Sequence, residues 1–560
     1  MDPDALPPGA LPPDALPPDA LPMRTERDIG ATMRDGTRLS LRICRPDAPG
    51  RFPALLAVSP YQHVTDDLPH SPLFLWREVG PVPWYVAHGY ACVHADVRGT
   101  GQSEGRYGFL DRAEQQDLYD LVQWVAAQDW CDGNVGGIGQ SYYAWSQWFM
   151  GVMAPPALRC IAPYDGATDI YRDAAYHGGI HCDFMNWWYT LIRNNNLHRA
   201  GPEAQGRLLE ADLGRDFTTR QLCDDWWRER SAQERLDRVR VPVLSIGHWG
   251  KMSLHLRGNI TGFEALQAPK RLIVTGARDV FEAHDLFDQV SFHAEVLKPF
   301  YDRYLKGAAN GWEDGPAVRL WLRGRDDWLD ADRWPLPQAR ETAFHLQPGP
   351  AGAGPSLNDG ALGPEPMPGA DGEAEGAATS YDYPDPQWTL GTARLTPEGP
   401  DAASRVLAFS TPELDRPLEI AGPVRLLLWL SSTATDTDVF VRLVDVPPGG
   451  RPVIVSRGWL RASHRRTDPA RGTPWRPFRH HDAPEPLEPG RPELLEIEVM
   501  PCAHRFAPGH RLRLEIANGD SPVTEGLFTH LYGWWKVGRD TIHHDAAHPS
   551  RLLLPVLPEG

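Results

Sequence analysis

Two hydrophobic rhythms divide this chain, and together they limit its folds more than any other feature. From about residue 30 to 166, short apolar runs alternate with stretches of helical spacing: ALLAV at 54–58, YACVHAD at 90–96, NVGGIG at 134–139 and RCIAPYD at 159–165. Runs that can be buried on both faces, separated by helices, specify a parallel sheet covered by helices. Leu118, Leu121, Val122 and Val125 fall at i, i+3, i+4 and i+7 and supply one such covering face. The alternation returns at VPVLSIG (241–247) and RLIVTG (271–276), followed by a helical stretch holding Phe292, Val296 and Phe300, in which Pro299 is expected to cause a kink. Beyond about residue 380 the period falls to two, in PVRLLLWLS (423–431), TDVFVRLVDV (437–446), ELLEIEVMP (493–501) and HRLRLEIAN (510–518). Period-two runs parted by Gly and Pro turns predict an all-β sandwich.

Composition breaks divide the chain further. Residues 1–22 repeat a proline-rich hexad whose missing donors and fixed φ hold the backbone extended, which predicts a disordered tail. The α/β core then occupies 23–169 and resumes over 237–346, the latter including a connection. Between them, 170–236 is rich in aromatic and helix-compatible polar residues and is expected to form an inserted helical cap. Gly, Pro and Ala dominate 347–379, the signature of a linker or long loop, and the β domain takes 380–560.

The 560 residues carry 56 basic and 74 acidic side chains, a net charge of −18. Such a surplus of acid, without a basic run, argues against a nucleic-acid partner. No stretch approaches the roughly 20 apolar residues that cross a bilayer, so no membrane partner is expected. The seven cysteines are scattered, form no C-x-x-C pair and are expected to be reduced core thiols. With no basic segment leading into an apolar one at the N-terminus, a cytoplasmic location is expected. His248 and His255, and the His543-His544-Asp545 group, lack metal-site spacing; neither a metal nor another cofactor is expected. Self-association is left open.

Chemistry concentrates in Gly136-Gly137-Ile138-Gly139-Gln140-Ser141-Tyr142-Tyr143-Ala144, an apolar run ending in glycines that opens directly into an apolar helix. A nucleophile elbow needs this arrangement, because a serine on a sharp strand-to-helix turn projects its hydroxyl only where small neighbours make room. The helix N-terminus beneath it also favours an oxyanion. The strict G-x-S-x-G pattern fails, since Tyr143 stands where the second Gly would be.

This segment resembles the elbow of the cocaine esterase, X-prolyl dipeptidyl aminopeptidase and α-amino acid ester hydrolase (CocE/NonD) family, in which that Gly is likewise displaced. MRDGTRLSLRICRPDAPGRFPALLAVSPY (33–61), ADVRGTGQSEG (95–105), WCDGNVGGIGQSY (130–142) and LEIAGPVRLLLWLSSTATDTDVFVRLVDV (418–446) match in order, so the resemblance spans about 30–555. It implies an α/β-hydrolase core with a helical cap and a C-terminal jelly-roll-like β domain. It also implies Ser141 as nucleophile, with the oxyanion held by the Tyr142 backbone N–H and the Tyr61 hydroxyl. Asp96, Arg98 and the glycines beside them match a structural turn of the family, and Asp169 matches the start of its cap as a helix N-cap.

Two positions depart from the pattern. The family's acid follows the strand equivalent to VPVLSIG, where this chain has Gly250; its histidine follows RLIVTG, where this chain has Asp279. A serine without a base is a poor nucleophile, so the base has moved or the activity has been lost. His284, five residues beyond Asp279 on the same connection, is the candidate base. Asp165, ending the strand beside the nucleophile strand, is the candidate acid, because adjacent strand ends converge on one crevice; Asp279 is the alternative. Phe184, Trp187 and Trp188 are candidate walls of an acyl pocket, and the nearby Asp183 leaves an α-amino acyl substrate open. The expected function is a serine hydrolase of a small ester or amide through an acyl-enzyme on Ser141. Its alternatives are an acyltransferase using the same intermediate, or a degenerate hydrolase-fold binding protein.

Overall fold

The computed structural model describes residues 16–64, 78–199, 212–366, 378–391, 394–396, 399–401, 405–522, 524–525, 528–530 and 536–558. The repeat expected to form a disordered tail lies largely outside these residues, as do residues 367–377 of the Gly- and Pro-rich stretch. The chain divides into two compact units, one of Met1–Asp173, Met185–Thr219 and Asp225–Arg319, the other of Ala174–Phe184, Arg220–Asp224 and Leu320–Gly560.

Strands β1 (Met23–Thr32), β2 (Arg38–Pro46), β3 (Phe52–Ser59), β4 (Ala91–Asp96), β5 (Cys131–Gly137) and β6 (Leu158–Ile161) come first in the chain. A short hairpin of β7 (Tyr176–His177) and β8 (Ile180–His181) follows and belongs to the second unit, and β9 (Val243–His248) and β10 (Lys270–Thr275) return to the first. Within the first unit the sheet order is β1-β2-β4-β3-β5-β6-β9-β10. β1 and β2 pair antiparallel, as do β2 and β4, and every pair from β4 to β10 is parallel. This is the α/β-hydrolase order, and β3, β4 and β9 are buried along nearly their whole length, as their unbroken apolar runs require.

The helix Arg112–Ala126 buries Leu118, Leu121, Val122 and Val125, the four residues whose spacing predicts its inner face, and the Asp111 side chain caps it by accepting from the Glu114 N–H. Residues 290–306 run on as one helix, α at Val290–Phe292, π at His293–Leu297 and α again at Lys298–Lys306, so Pro299, which has no N–H to give to the preceding turn, follows directly on a π-helical turn.

The second unit is built mainly of β-strands, with short helical turns at Pro386–Thr389 and Ala462–His464. Its sheet runs Ala378–Tyr383, Gly538–His543, Leu418–Ser432, Glu493–Phe506, Val453–Arg461, Asp438–Val446, Arg511–Ala517, Leu407–Ser410, Gly360–Gly363, Arg340–Gln347, Arg551–Val556. Arg551–Val556 pairs back onto Leu418–Ser432, which gives the sheet a barrel-like closure. Alternate residues such as Leu426, Leu428 and Leu430 enter one apolar core with Val439, Val441, Leu495, Ile497, Leu512 and Leu514.

Two boundaries differ from expectation. Arg340–Gln347 and Gly360–Gly363 are strands of this closed sheet, so the Gly- and Pro-rich stretch is an insertion inside the β unit rather than a linker before it. The expected cap is not all helix. Besides Phe184–Arg199, Leu213–Thr219 and Asp225–Glu229 it holds the β7–β8 hairpin, whose turn uses Gly178 and Gly179 at positive φ.

Candidate active site

β5 ends at Gly137, and after four intervening residues the helix Tyr142–Met153 begins. Ser141 joins the two at φ 62° and ψ −117°, a conformation that costs a non-glycine residue of order 1–3 kcal/mol and persists only where surrounding structure enforces it. The enforcement is visible: the Ser141 N–H donates to the Tyr164 carbonyl, and the Ser141 carbonyl accepts from Ala144 and Trp145. Gly139, at φ 118°, passes so close to Tyr143 that a Cβ there would lie 2.5 Å from the tyrosine Cβ. The turn is a nucleophile elbow with Ser141 at its tip, although the second Gly of the usual pattern is absent.

Tyr61 is buried beside this tip. Its hydroxyl oxygen accepts from Trp188 Nε1 at 3.1 Å, and the Ser141 side chain and the Tyr142 backbone N–H are its other hydrogen-bonding neighbours. Burial, with the nearby Glu78 adding to it, pushes the phenol well above its ordinary range, so it remains a neutral O–H donor. Trp188 is held in turn by stacking on Tyr142, with ring centroids 5.7 Å apart and planes 12° from parallel. The Tyr142 hydroxyl donates to Glu114 at 2.7 Å, which pins the residue whose backbone N–H opens the helix.

Asp165 is fully buried and, like Ser141, has positive φ. Its carboxylate accepts from Gln140 Nε2 at 2.8 Å, faces Lys251 Nζ at 3.2 Å and lies 3.6 Å from His248 Nε2. Burial would raise this carboxyl, but His248, Lys251 and His255 outweigh it and hold the group below the ordinary carboxylate range. His248 is driven down to about 4 by burial and stays neutral at physiological pH.

His284 lies on the helix Val280–Asp288 and is partly exposed. Its Nδ1 is 3.5 Å from Glu78 Oε1, and its Nε2 is 3.3 Å from Lys251 Nζ. Burial, then Lys251, push it well below the ordinary imidazole value, so it is neutral and able to accept a proton. Among the described residues neither ring nitrogen hydrogen-bonds Ser141 or Asp165. The expected pair His284–Asp165 is therefore bridged by Lys251, which faces both, and the carboxyl next to the imidazole is Glu78. Glu78 also fixes the elbow, since its carbonyl accepts from the Gln140 N–H.

Asp279, the alternative acid, caps the helix that carries His284: its carboxylate accepts from the N–H groups of Phe281 and Glu282. Its place is set by Gly250, where a Cβ would lie 2.5 Å from the Asp279 nitrogen and 2.6 Å from the Arg278 carbonyl carbon. Backbone packs on backbone here, so position 250 accepts no carboxylate. Trp187 is 39% exposed, whereas Trp188 is buried and serves Tyr61. Phe184 belongs to the second unit, where its ring packs on Phe528 at 5.0 Å, a core contact. The Asp169 carboxylate accepts from the Arg172 N–H, as an N-cap does, and Asp96 accepts from the His63 N–H, a structural contact.

Sequence reasoning missed Lys251 and Glu78. The signal for Lys251 was its neighbour, a glycine in the acid's place. Glu78 follows residues with no recognisable rhythm and gave no signal.

Family models match two segments: X-Pro dipeptidyl-peptidase (S15 family) over 35–278, and the X-Pro dipeptidyl-peptidase C-terminal non-catalytic domain over 310–553. A cocaine esterase from Rhodococcus sp. (strain MB1 Bresler) is 28% identical over 591 residues, covering 94% of this chain and 97% of the relative. A CocE/NonD family hydrolase from Staphylococcus aureus superposes with a TM-score of 0.80 at 25% identity, covering 96% of this chain and 94% of its own. An α-amino acid ester hydrolase shares the fold, with a TM-score of 0.72 at 20% identity over 95% of this chain and 96% of that one.

Proposed function

Because this chain belongs to the CocE/NonD family of hydrolases and is a serine hydrolase, we propose that it cleaves a small ester or amide through an acyl-enzyme on Ser141. The observation that carries this reading is the convergence of the Tyr61 hydroxyl, the Tyr142 backbone N–H and the strained Ser141 at one point. Two preorganised donors aimed at one developing charge are worth several kcal/mol each in a dry site.

In this reading Ser141 Oγ attacks the carbonyl carbon and His284 takes the hydroxyl proton. The oxyanion lies between the Tyr61 hydroxyl and the Tyr142 N–H. Glu78, whose carboxyl burial raises well above its ordinary range, orients the imidazole from the Nδ1 side, and Asp165 offsets the charge of Lys251. His284 returns the proton to the leaving alcohol or amine, and water then attacks the acyl-enzyme. The imidazole closes on Ser141 only with substrate bound, as catalytic hydrogen bonds that are long in a free enzyme commonly do. Trp187 supplies an exposed apolar surface for the acyl group. An α-amino acyl group is the finer reading, suggested by the likeness to the α-amino acid ester hydrolase.

Rapid mixing with p-nitrophenyl esters and with amino acid p-nitrophenyl esters tests the intermediate. One nitrophenolate per chain should be released in a burst before the steady state, and Ser141→Ala should abolish it. A linear time course together with no acyl adduct on Ser141 in acid-quenched turnover mixtures would overturn the acyl-enzyme.

A further inference from the structure

The second unit holds a buried cluster that the hydrolase chemistry does not use. The β7–β8 hairpin is closed by Gly178 and Gly179, and Gly178 lies so tight against Trp459 that a Cβ would approach its carbonyl oxygen to 2.1 Å. The Gly178 carbonyl accepts from the Arg461 N–H at 3.0 Å. Just past the hairpin, Cys182 forms an antiparallel bridge with His530, and the Asp183 N–H donates to the Thr529 carbonyl at 2.8 Å. Backbone pairing thus fixes three side chains on one point. His177, Cys182 and His530, exposed by 2%, 0% and 5%, bring one ligand atom each to within 4.8 Å of the others.

The hydrogen-bond pattern orients these atoms. Asp520 Oδ2 sits 2.7 Å from His530 Nδ1 and also accepts from the His530 backbone N–H at 2.7 Å. A carboxylate only accepts, so Nδ1 carries the ring hydrogen and Nε2 presents a lone pair to the cluster. His177 Nδ1 lies 2.8 Å from that Nε2. Trp459 stacks on His177 at 4.7 Å, and Phe440 meets His530 edge-on at 5.2 Å, so aromatic rings back both imidazoles.

We propose that His177 Nδ1, Cys182 Sγ and His530 Nε2 bind one borderline-soft divalent cation of the zinc type, with Asp520 fixing the orientation of His530. Two imidazole ligands on a tetrahedral zinc stand about 3.3 Å apart, given bonds of roughly 2.0–2.1 Å. The two nitrogens therefore need to separate by only about half an ångström. A thiolate with two imidazoles suits zinc, and the carboxylate behind one imidazole is the usual outer-shell partner. On binding, the Cys182 thiol releases its proton to solvent, and the His177 ring hydrogen moves from Nδ1 to Nε2, freeing Nδ1 to ligate. The fourth position is left to water. The ion would clip the hairpin to the Phe528–His530 segment. This site is independent of the reading of Ser141.

The test uses the full chain, freed of metal with a chelator and titrated with Co²⁺. One equivalent should bind with a thiolate-to-cobalt absorption band in the near ultraviolet, and Zn²⁺ should displace it. Cys182→Ser should abolish the band, whereas Cys223→Ser, at another buried thiol, should leave it intact. Asp520→Asn should weaken binding by about 10- to 100-fold. Zn²⁺ should raise the melting temperature of the metal-free wild type but not that of Cys182→Ser. A wild type that gives no band, or a band that survives in Cys182→Ser, would overturn the proposal.

Discussion

Tyr61→Phe removes one hydroxyl and leaves the ring. The oxyanion then keeps the Tyr142 N–H and loses its other donor, a change of about 100- to 1,000-fold in kcat, or about 2.7–4 kcal/mol of transition-state stabilisation. The ground state carries no matching charge, so KM should move by less than threefold. The folded protein pays a smaller cost, because Trp188 Nε1 loses the acceptor now 3.1 Å away and a buried donor without a partner costs about 1–3 kcal/mol. That is a shift of a few degrees in melting temperature for a chain of this size, not a loss of fold. Steady-state hydrolysis of a p-nitrophenyl ester, with thermal unfolding alongside, measures both quantities. Burial keeps the phenol protonated throughout the neutral range, so the ratio of wild type to variant should be flat between pH 6 and 9. A folded variant with kcat within threefold of wild type would refute the assignment of Tyr61 as an oxyanion donor.

Asp165→Asn should lower turnover by at least about a hundredfold and destabilise the fold by roughly 3–5 kcal/mol, because Lys251 keeps a buried charge without its carboxylate. The carboxyl's value in the folded chain lies below its unfolded value of about 3.9, so its contribution is complete above about pH 4 and is lost as the pH falls below that. Denaturant titrations from pH 3 to 7 should show the corresponding part of the acid-side loss missing from Asp165→Asn. Asp279→Asn, in contrast, keeps a good helix cap and should leave kcat within about threefold; a hundredfold loss there would move the acid to position 279. Gly250→Asp, which puts a carboxylate at the family's usual position, should not raise activity and should lower the melting temperature, since its Cβ meets the backbone of Asp279 at 2.5 Å. A faster enzyme from that variant would contradict the packing argument.

The parts of this molecule that were legible in the sequence are those governed by local rules. Unbroken apolar runs specified β3, β4 and β9, the i, i+3, i+4, i+7 spacing specified the buried face of Arg112–Ala126, and glycines ahead of Ser141 specified the elbow. The limits of the β unit were misplaced because Gly and Pro richness marks any long loop, whether it lies between domains or inside a closed sheet. Phe184 was named as a pocket wall on its aromatic character alone; its ring packs on Phe528, far away in sequence, a contact that no local pattern encodes. The histidine's partner was the harder case. Adjacent strand ends pointed to Asp165, which is buried, but strand order does not say which cation a carboxylate faces, and Lys251 faces both Asp165 and His284. For the same reason the His177–Cys182–His530 cluster escaped any search of local spacing, its two imidazoles being 353 residues apart.

The central claim is that the Ser141 proton passes to His284, and the rate at which a fluorophosphonate modifies Ser141 reads that transfer without any later step. Peptide mapping should place the adduct on Ser141, and His284→Ala should slow its formation by about 100- to 10,000-fold in a protein that still melts cooperatively. A wild-type rate in His284→Ala, or an adduct on another residue, would contradict the account.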